Sequence, residues 1–123
     1  MPREDQHRTR SERNEQFANS LNVADPMAEN WAVVAAFYSA LHYVEAYFTK
    51  TGSGCSAHRE RNERFKADVK LRFAYASYSY LYTLSRTARY ECAGLPKDAF
   101  SKEAKSHLAA VKKQVDHALS TKA

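Results

Sequence analysis

The chain has 123 residues, of which 27% are charged, a formal net charge of +5 and two cysteines, Cys55 and Cys92. That is the size of one domain, long enough to bury a core without a disulfide or a structural metal. The cysteines make no CxxC pair and no Cys/His cluster at zinc spacing, which points to a reduced, cytoplasmic setting with no metal or cofactor, while the positive excess favours an anionic partner without identifying one.

The opening stretch, MPREDQHRTRSERNE, is charged and has no apolar signal core behind it. Arg3, Arg8, Arg10 and Arg13 balance Glu4, Asp5, Glu12 and Glu15, the pattern of a solvated segment. Residues 1–16 are therefore expected as a charged helix or arm, mobile at its start, and residues 17–120 as a helical bundle. Only Phe17, Ala18 and Leu21 offer the arm an apolar anchor.

Asp25-Pro26 is a helix start, because Asp caps free N–H groups and Pro at the first helical position lacks the N–H that would be orphaned there. Residues 30–50, NWAVVAAFYSALHYVEAYFTK, then run without Gly, Pro or charge until Glu45. Tyr, Ser, His and Glu interrupt the stretch, so it is not a membrane span. Trp31, Val34, Tyr38, Leu41 and Phe48 share one face; Val33, Phe37, Ala40, Val44 and Tyr47 share another. A helix apolar on two sides is sandwiched in a core, leaving a narrow polar strip of Ser39, His42, Ala46 and Thr49 beside Glu45.

Gly52-Ser53-Gly54 breaks that helix. The next stretch, SAHRERNERFKAD, predicts a short basic helix with Ser56 as N-cap and Asp68 at its end or at the next start. Residues 69–92 predict a second long helix on which Tyr75, Tyr78, Tyr82, Arg86 and Arg89 share a face at three- and four-residue spacing. The alternation of Tyr78, Tyr80 and Tyr82 resembles a strand, but no turn chemistry or partner strand surrounds it. Gly94 and Pro96 end the helix. A last helix starts near Asp98 or Ser101, with Ala104, Leu108, Val111, Val115 and Ala118 as its buried edge. The fold expected is an all-α, up-and-down bundle of four to five helices.

Five histidines are present, but no HExxH, no paired His at metal spacing and no phosphate-cradling Gly loop. Three groups of residues carry alternative readings. His42, with Glu45 one turn away to orient it and raise its pKa, is either a general base or a packed histidine satisfied by a neighbour. His58, Arg59 and Arg61 open a helix, where free N–H groups favour an anion, or they form a solvated charged face. Tyr82, Arg86, Arg89 and Tyr90 stack bases and hold phosphates, or they make an amphipathic core or dimer seam with the arginines paired to acids.

The blocks WAVVAAFYSALHYVEAYF, then the glycine break, then SAHRERNERF and YSYLYTLSRTARYE resemble the HEPN domain superfamily, over about residues 17–118. The matching features are FYxALH in the first core helix, the His-Arg start after the loop, the Tyr-x-x-Leu step and the Ser-Arg-x-x-Arg-Tyr close. The resemblance implies a bundle of four or five helices, often a homodimer, in a superfamily whose active members cut RNA without metal using Arg, four to six residues, then His. This chain departs from that pattern: no Arg lies five to seven positions before His7, His42, His58, His107 or His117. The expectation is an HEPN-like nucleic-acid or nucleotide-binding module without catalysis, accessory to a defence or toxin system and its partner protein. The alternatives are a metal-independent ribonuclease with His42 or His58 as base, and a protein–protein interaction module.

Overall fold

The structure is a computed structural model and describes residues 2–90 and 94–120. Among these residues there are five α-helices and no strand: α1 (Glu4–Ser20), α2 (Pro26–Thr51), α3 (His58–Ala67), α4 (Tyr75–Tyr90) and α5 (Lys105–Ser120). Cys92, with the expected end of the second long helix at residues 91–92, lies outside the described residues. The all-α bundle read from the sequence is the fold.

Helix α2 is the hub. Asp25 caps it by accepting from the Met27 N–H at 3.1 Å, with Pro26 in the first turn. From Ala32 onward nearly every side chain is buried, and the helix packs on α1, α4 and α5. Side-chain pairs give the directions. His7 meets His42 while Ser11 meets Ser39, so α1 runs antiparallel to α2. Phe37 touches Tyr78 and Tyr82, while Met27, Trp31 and Val34 border the same cleft as Ala88, Arg89 and Tyr90, so α4 is also antiparallel to α2. Lys112 pairs with Glu15 at 2.6 Å, and Tyr43 of α2 donates to Asp116. Helices α1, α2, α4 and α5 thus alternate up and down around one core.

The N-terminal segment, expected as a charged helix or arm, is a helix, and it packs into the bundle instead of standing in solvent. Helix α1 continues without a break through residue 16 and has the most extensive packing against α2 of any helix pair. Its anchors are His7, Ser11 and Ala18; Phe17 is half exposed. Ser11 Oγ donates to the Ser39 carbonyl at 2.7 Å, and Ser39 Oγ donates back to the Ser11 carbonyl at 2.9 Å. Two small residues bring the backbones close, and the reciprocal bonds satisfy polar groups that would otherwise be costly to bury. The polar strip on α2 is therefore a helix–helix contact: Ser39, Glu45 and Ala46 are buried beneath neighbours.

The second long helix expected over 69–92 is shorter and starts later. Asp68 accepts from the N–H groups of Lys70 and Leu71 at 2.9 and 3.1 Å, while Tyr47 donates to its other oxygen at 2.8 Å. These bonds turn the chain after α3, and a single 3₁₀ turn, Arg72–Ala74, leads into α4. Ser56 does not cap α3; Ala57 occupies that position and makes no side-chain bond. A π-helical segment, Ala99–Ala104, precedes α5 and buries Ala99, Phe100 and Ala104.

Candidate nucleic-acid interface

The α4 stripe divides by depth. Tyr78 is core, 1% exposed and against Phe37 and Phe65, and burial pushes its hydroxyl pKa upward. Tyr75 leans on Phe65 at 5.4 Å. One to three turns on, the face emerges at the surface: Tyr82 is partly buried, Arg86 exposed, Arg89 partly buried and Tyr90 exposed. It is in this upper half that both arginines of the stripe reach the surface.

There the cations and rings interleave. The Arg86 guanidinium lies 5.9 Å from the Tyr82 ring and 5.8 Å from the Tyr90 ring, and donates to the Tyr82 hydroxyl at 3.3 Å. The Arg89 guanidinium lies 4.8 Å from the Tyr90 ring and 5.6 Å from the Tyr38 ring, donating to the Tyr38 hydroxyl at 3.0 Å and to the Ser85 carbonyl at 3.4 Å. Among the described residues no carboxylate bridges Arg89. Its charge is fixed in place by a hydroxyl, a carbonyl and two rings, none of which neutralises it.

His58 closes one edge of this surface, 5.3 Å from the Tyr82 ring and 6.1 Å from Phe37. Its Nδ1 is 3.2 Å from Arg61 Nη1. A guanidinium only donates, so Nδ1 accepts and the ring proton sits on Nε2. Burial first, then Arg61 and Arg89, lowers the His58 pKa, leaving a neutral imidazole whose free nitrogen is a donor. That is the wrong tautomer for a base directed at a ligand on this face. Arg59 stands exposed on the first turn of α3.

Arg61 and His42 have interior roles. Arg61 Nε donates to Glu45 at 2.7 Å with both side chains under 10% exposed, and Nη2 donates to the Cys55 carbonyl at 3.2 Å. Glu45 accepts a further bond from the Cys55 N–H at 2.9 Å. This buried pair locks α3 and the preceding loop onto α2, so Arg61 is not available to an anion from solvent. Glu45, being committed to Arg61, does not orient His42. The His42 partner is His7, Nδ1 to Nδ1 at 3.0 Å. Burial, then His7, Arg10 and Arg61, pushes the His42 pKa down to about 4, opposite to the direction expected from a nearby Glu45. No hydrogen bond or ring contact joins His42 to His58, and only His58 borders the α4 surface.

The sequence reading missed a cleft of about 430 Å³ beside the arginines. It lies between the first turns of α2 and the last turn of α4, lined by Met27, Asn30, Trp31, Val34, Ala88, Arg89 and Tyr90. Trp31, assigned to an apolar face, is 54% exposed, and Met27 is 62% exposed. The signal lay in position: both precede the continuous buried run that begins at Ala32. Among the described residues no three His, Cys, Asp or Glu side chains gather as a metal site, and no helix is long and apolar enough to cross a membrane.

Comparison with known proteins found no matching family model, no matching curated protein and no matching solved structure.

Proposed function

We propose that the chain is an HEPN-like module that binds single-stranded nucleic acid or nucleotides without cleaving them, using the upper face of α4. The observation that carries this reading is Arg89, a guanidinium held between tyrosine rings with no described counter-charge, adjoining Arg86 on the same face. Rings that stack bases and cations that meet phosphates are what a sequence-tolerant single-strand surface requires. Exposed Arg59 and the Nε2–H of His58 extend the donor surface toward α3. Homodimerisation, a cytoplasmic setting and a defence or toxin partner come into this proposal from the sequence resemblance and cysteine usage alone.

The ribonuclease alternative has less support. A base of low pKa at His42, engaged by His7, and a His58 whose accepting nitrogen already faces Arg61 both fit a general base poorly.

The test is fluorescence anisotropy of a labelled single-stranded RNA, titrated with wild type and with the Arg86→Ala/Arg89→Ala variant over a range of salt. Wild-type binding is expected to weaken steeply with salt. The double variant should bind about tenfold or more weakly at low salt and show a shallower salt dependence. Equal affinity of the two proteins would remove the face as a binding surface.

A further inference from the structure

The joint between α3 and α4, at the end of α4 remote from Arg86 and Arg89, holds apolar side chains in water. Phe73 is 75% exposed, the most of any large apolar side chain among the described residues, and Val69 is 67% exposed. The Leu71 and Arg72 N–H groups donate to the Asp68 carbonyl at 3.2 and 2.9 Å, winding the joint into a helical turn. On such a turn Val69 and Phe73, four residues apart, share one side, and Leu71, buried in the core, takes the other. The two exposed side chains thus stand together as a crest.

Cations surround the crest. Arg72 is exposed, with its guanidinium 5.4 Å from the Phe73 ring. Lys66 is exposed on the last turn of α3, with its ammonium 5.5 Å from the Tyr75 ring. A groove of about 330 Å³ beside Phe73 brings Lys113 and His117 of α5 to the same side, and among the described residues no acidic one lines it. Asp68, the one acid in residues 68–74, gives its carboxylate to Tyr47 and to the N–H groups of Lys70 and Leu71. Asp116, next to His117 in the chain, accepts from Tyr43 of α2.

We infer that this crest docks the protein on an anionic lipid bilayer, with Val69 and Phe73 entering the headgroup boundary and Arg72, Lys66 and Lys113 meeting the charged headgroups. The shape and the charge together choose this occupant. Val69 and Phe73 project from a turn instead of lining a hollow, and a bilayer takes projecting side chains without a fitted cavity. A second copy related by a two-fold axis would set these cations against their own images. A nucleic acid would meet the cations but offer nothing to Val69, which has no ring to stack.

The test is co-sedimentation of the full chain with vesicles of phosphatidylcholine alone and of phosphatidylcholine mixed with phosphatidylserine. Binding is expected on the mixed vesicles only, and to weaken as salt is added. Phe73→Ser should reduce it about tenfold, and Arg72→Gln/Lys113→Gln tenfold or more. These side chains are exposed, so the variants should keep the wild-type circular dichroism and melting temperature. Arg86→Ala/Arg89→Ala, at the far end of α4, should bind the vesicles as wild type does, which separates this crest from the strand-binding face. Equal partition onto the two kinds of vesicle, no partition onto either, or unchanged binding by Phe73→Ser would overturn the inference. So would an equal loss in Arg86→Ala/Arg89→Ala, which would reduce the effect to overall charge. Conversion of a dimer to a monomer by Phe73→Ser in sedimentation equilibrium without lipid would assign the crest to a second copy and overturn it as well.

Discussion

Glu45 and His42 sit one turn apart on α2, yet each is matched to a different helix: Glu45 to Arg61 of α3, His42 to His7 of α1. The His–His bond needs at least one neutral ring to accept, and burial holds His42 neutral, with Arg10 and Arg61 adding positive potential and Glu45 opposing it at His7. This makes folding sensitive to acid. The unfolded His42 imidazole has an ordinary pKa of 6.5, while the folded one titrates at about 4. Between those values the unfolded chain binds a proton that the folded chain refuses, so stability falls as pH drops through that window and levels off below it. Chemical denaturation at stepped pH should show a loss attributable to His42 of at most about 2 kcal/mol, allowing for its partial exposure. His42→Gln should lose less stability than wild type over the same interval; an identical decline would contradict the account. The charge and cysteine pattern could not have revealed these pairings. Glu45 can reach either His42 or Arg61, and only the path of the loop carrying Cys55 decides between them.

At the level of elements, α2 was legible from its apolar run and its Asp-Pro cap, and the buried edge of α5 from its spacing. The packing of α1 was not, because its contact with α2 is made of serines, histidines and alanine instead of large apolar side chains, and balanced charges dominate its pattern. Polar residues that bond each other across a close helix pair look like solvent-facing residues in a sequence. At the α3–α4 joint Asp68 ends α3, one of the two places expected for it, but the turn that follows was not legible, since it is made by Asp68 side-chain bonds that periodicity does not encode. Close approach of α1 and α2 at Ser11 and Ser39 yields a stability prediction. Ser39→Leu overfills a fully buried contact and removes the hydroxyl that donates to the Ser11 carbonyl, and should cost about 1–3 kcal/mol in urea unfolding. A change within about 0.5 kcal/mol would mean that α1 is not held there.

Over the whole molecule, the bundle separates its polar groups into two sets. Interior ones, Glu45 with Arg61, His7 with His42 and Ser11 with Ser39, fasten α1 and α3 to the hub. Surface ones gather where the end of α4 meets the start of α2, and it is there that arginines, tyrosines, Trp31 and Asn30 face solvent together. The α4 stripe was readable as a face, but its division into a buried lower half and an exposed upper half depends on where α3 covers it, and the cleft depends on two helix ends that lie far apart in sequence. The central claim is that this shared end binds single-stranded nucleic acid. Its most direct test is nuclear magnetic resonance mapping of isotope-labelled protein as single-stranded RNA is added. The account predicts that shifts cluster at Asn30, the Trp31 indole N–H, Arg86, Arg89 and Tyr90; shifts confined to α1 or to the lysine face of α5, or no shifts at all, would contradict it.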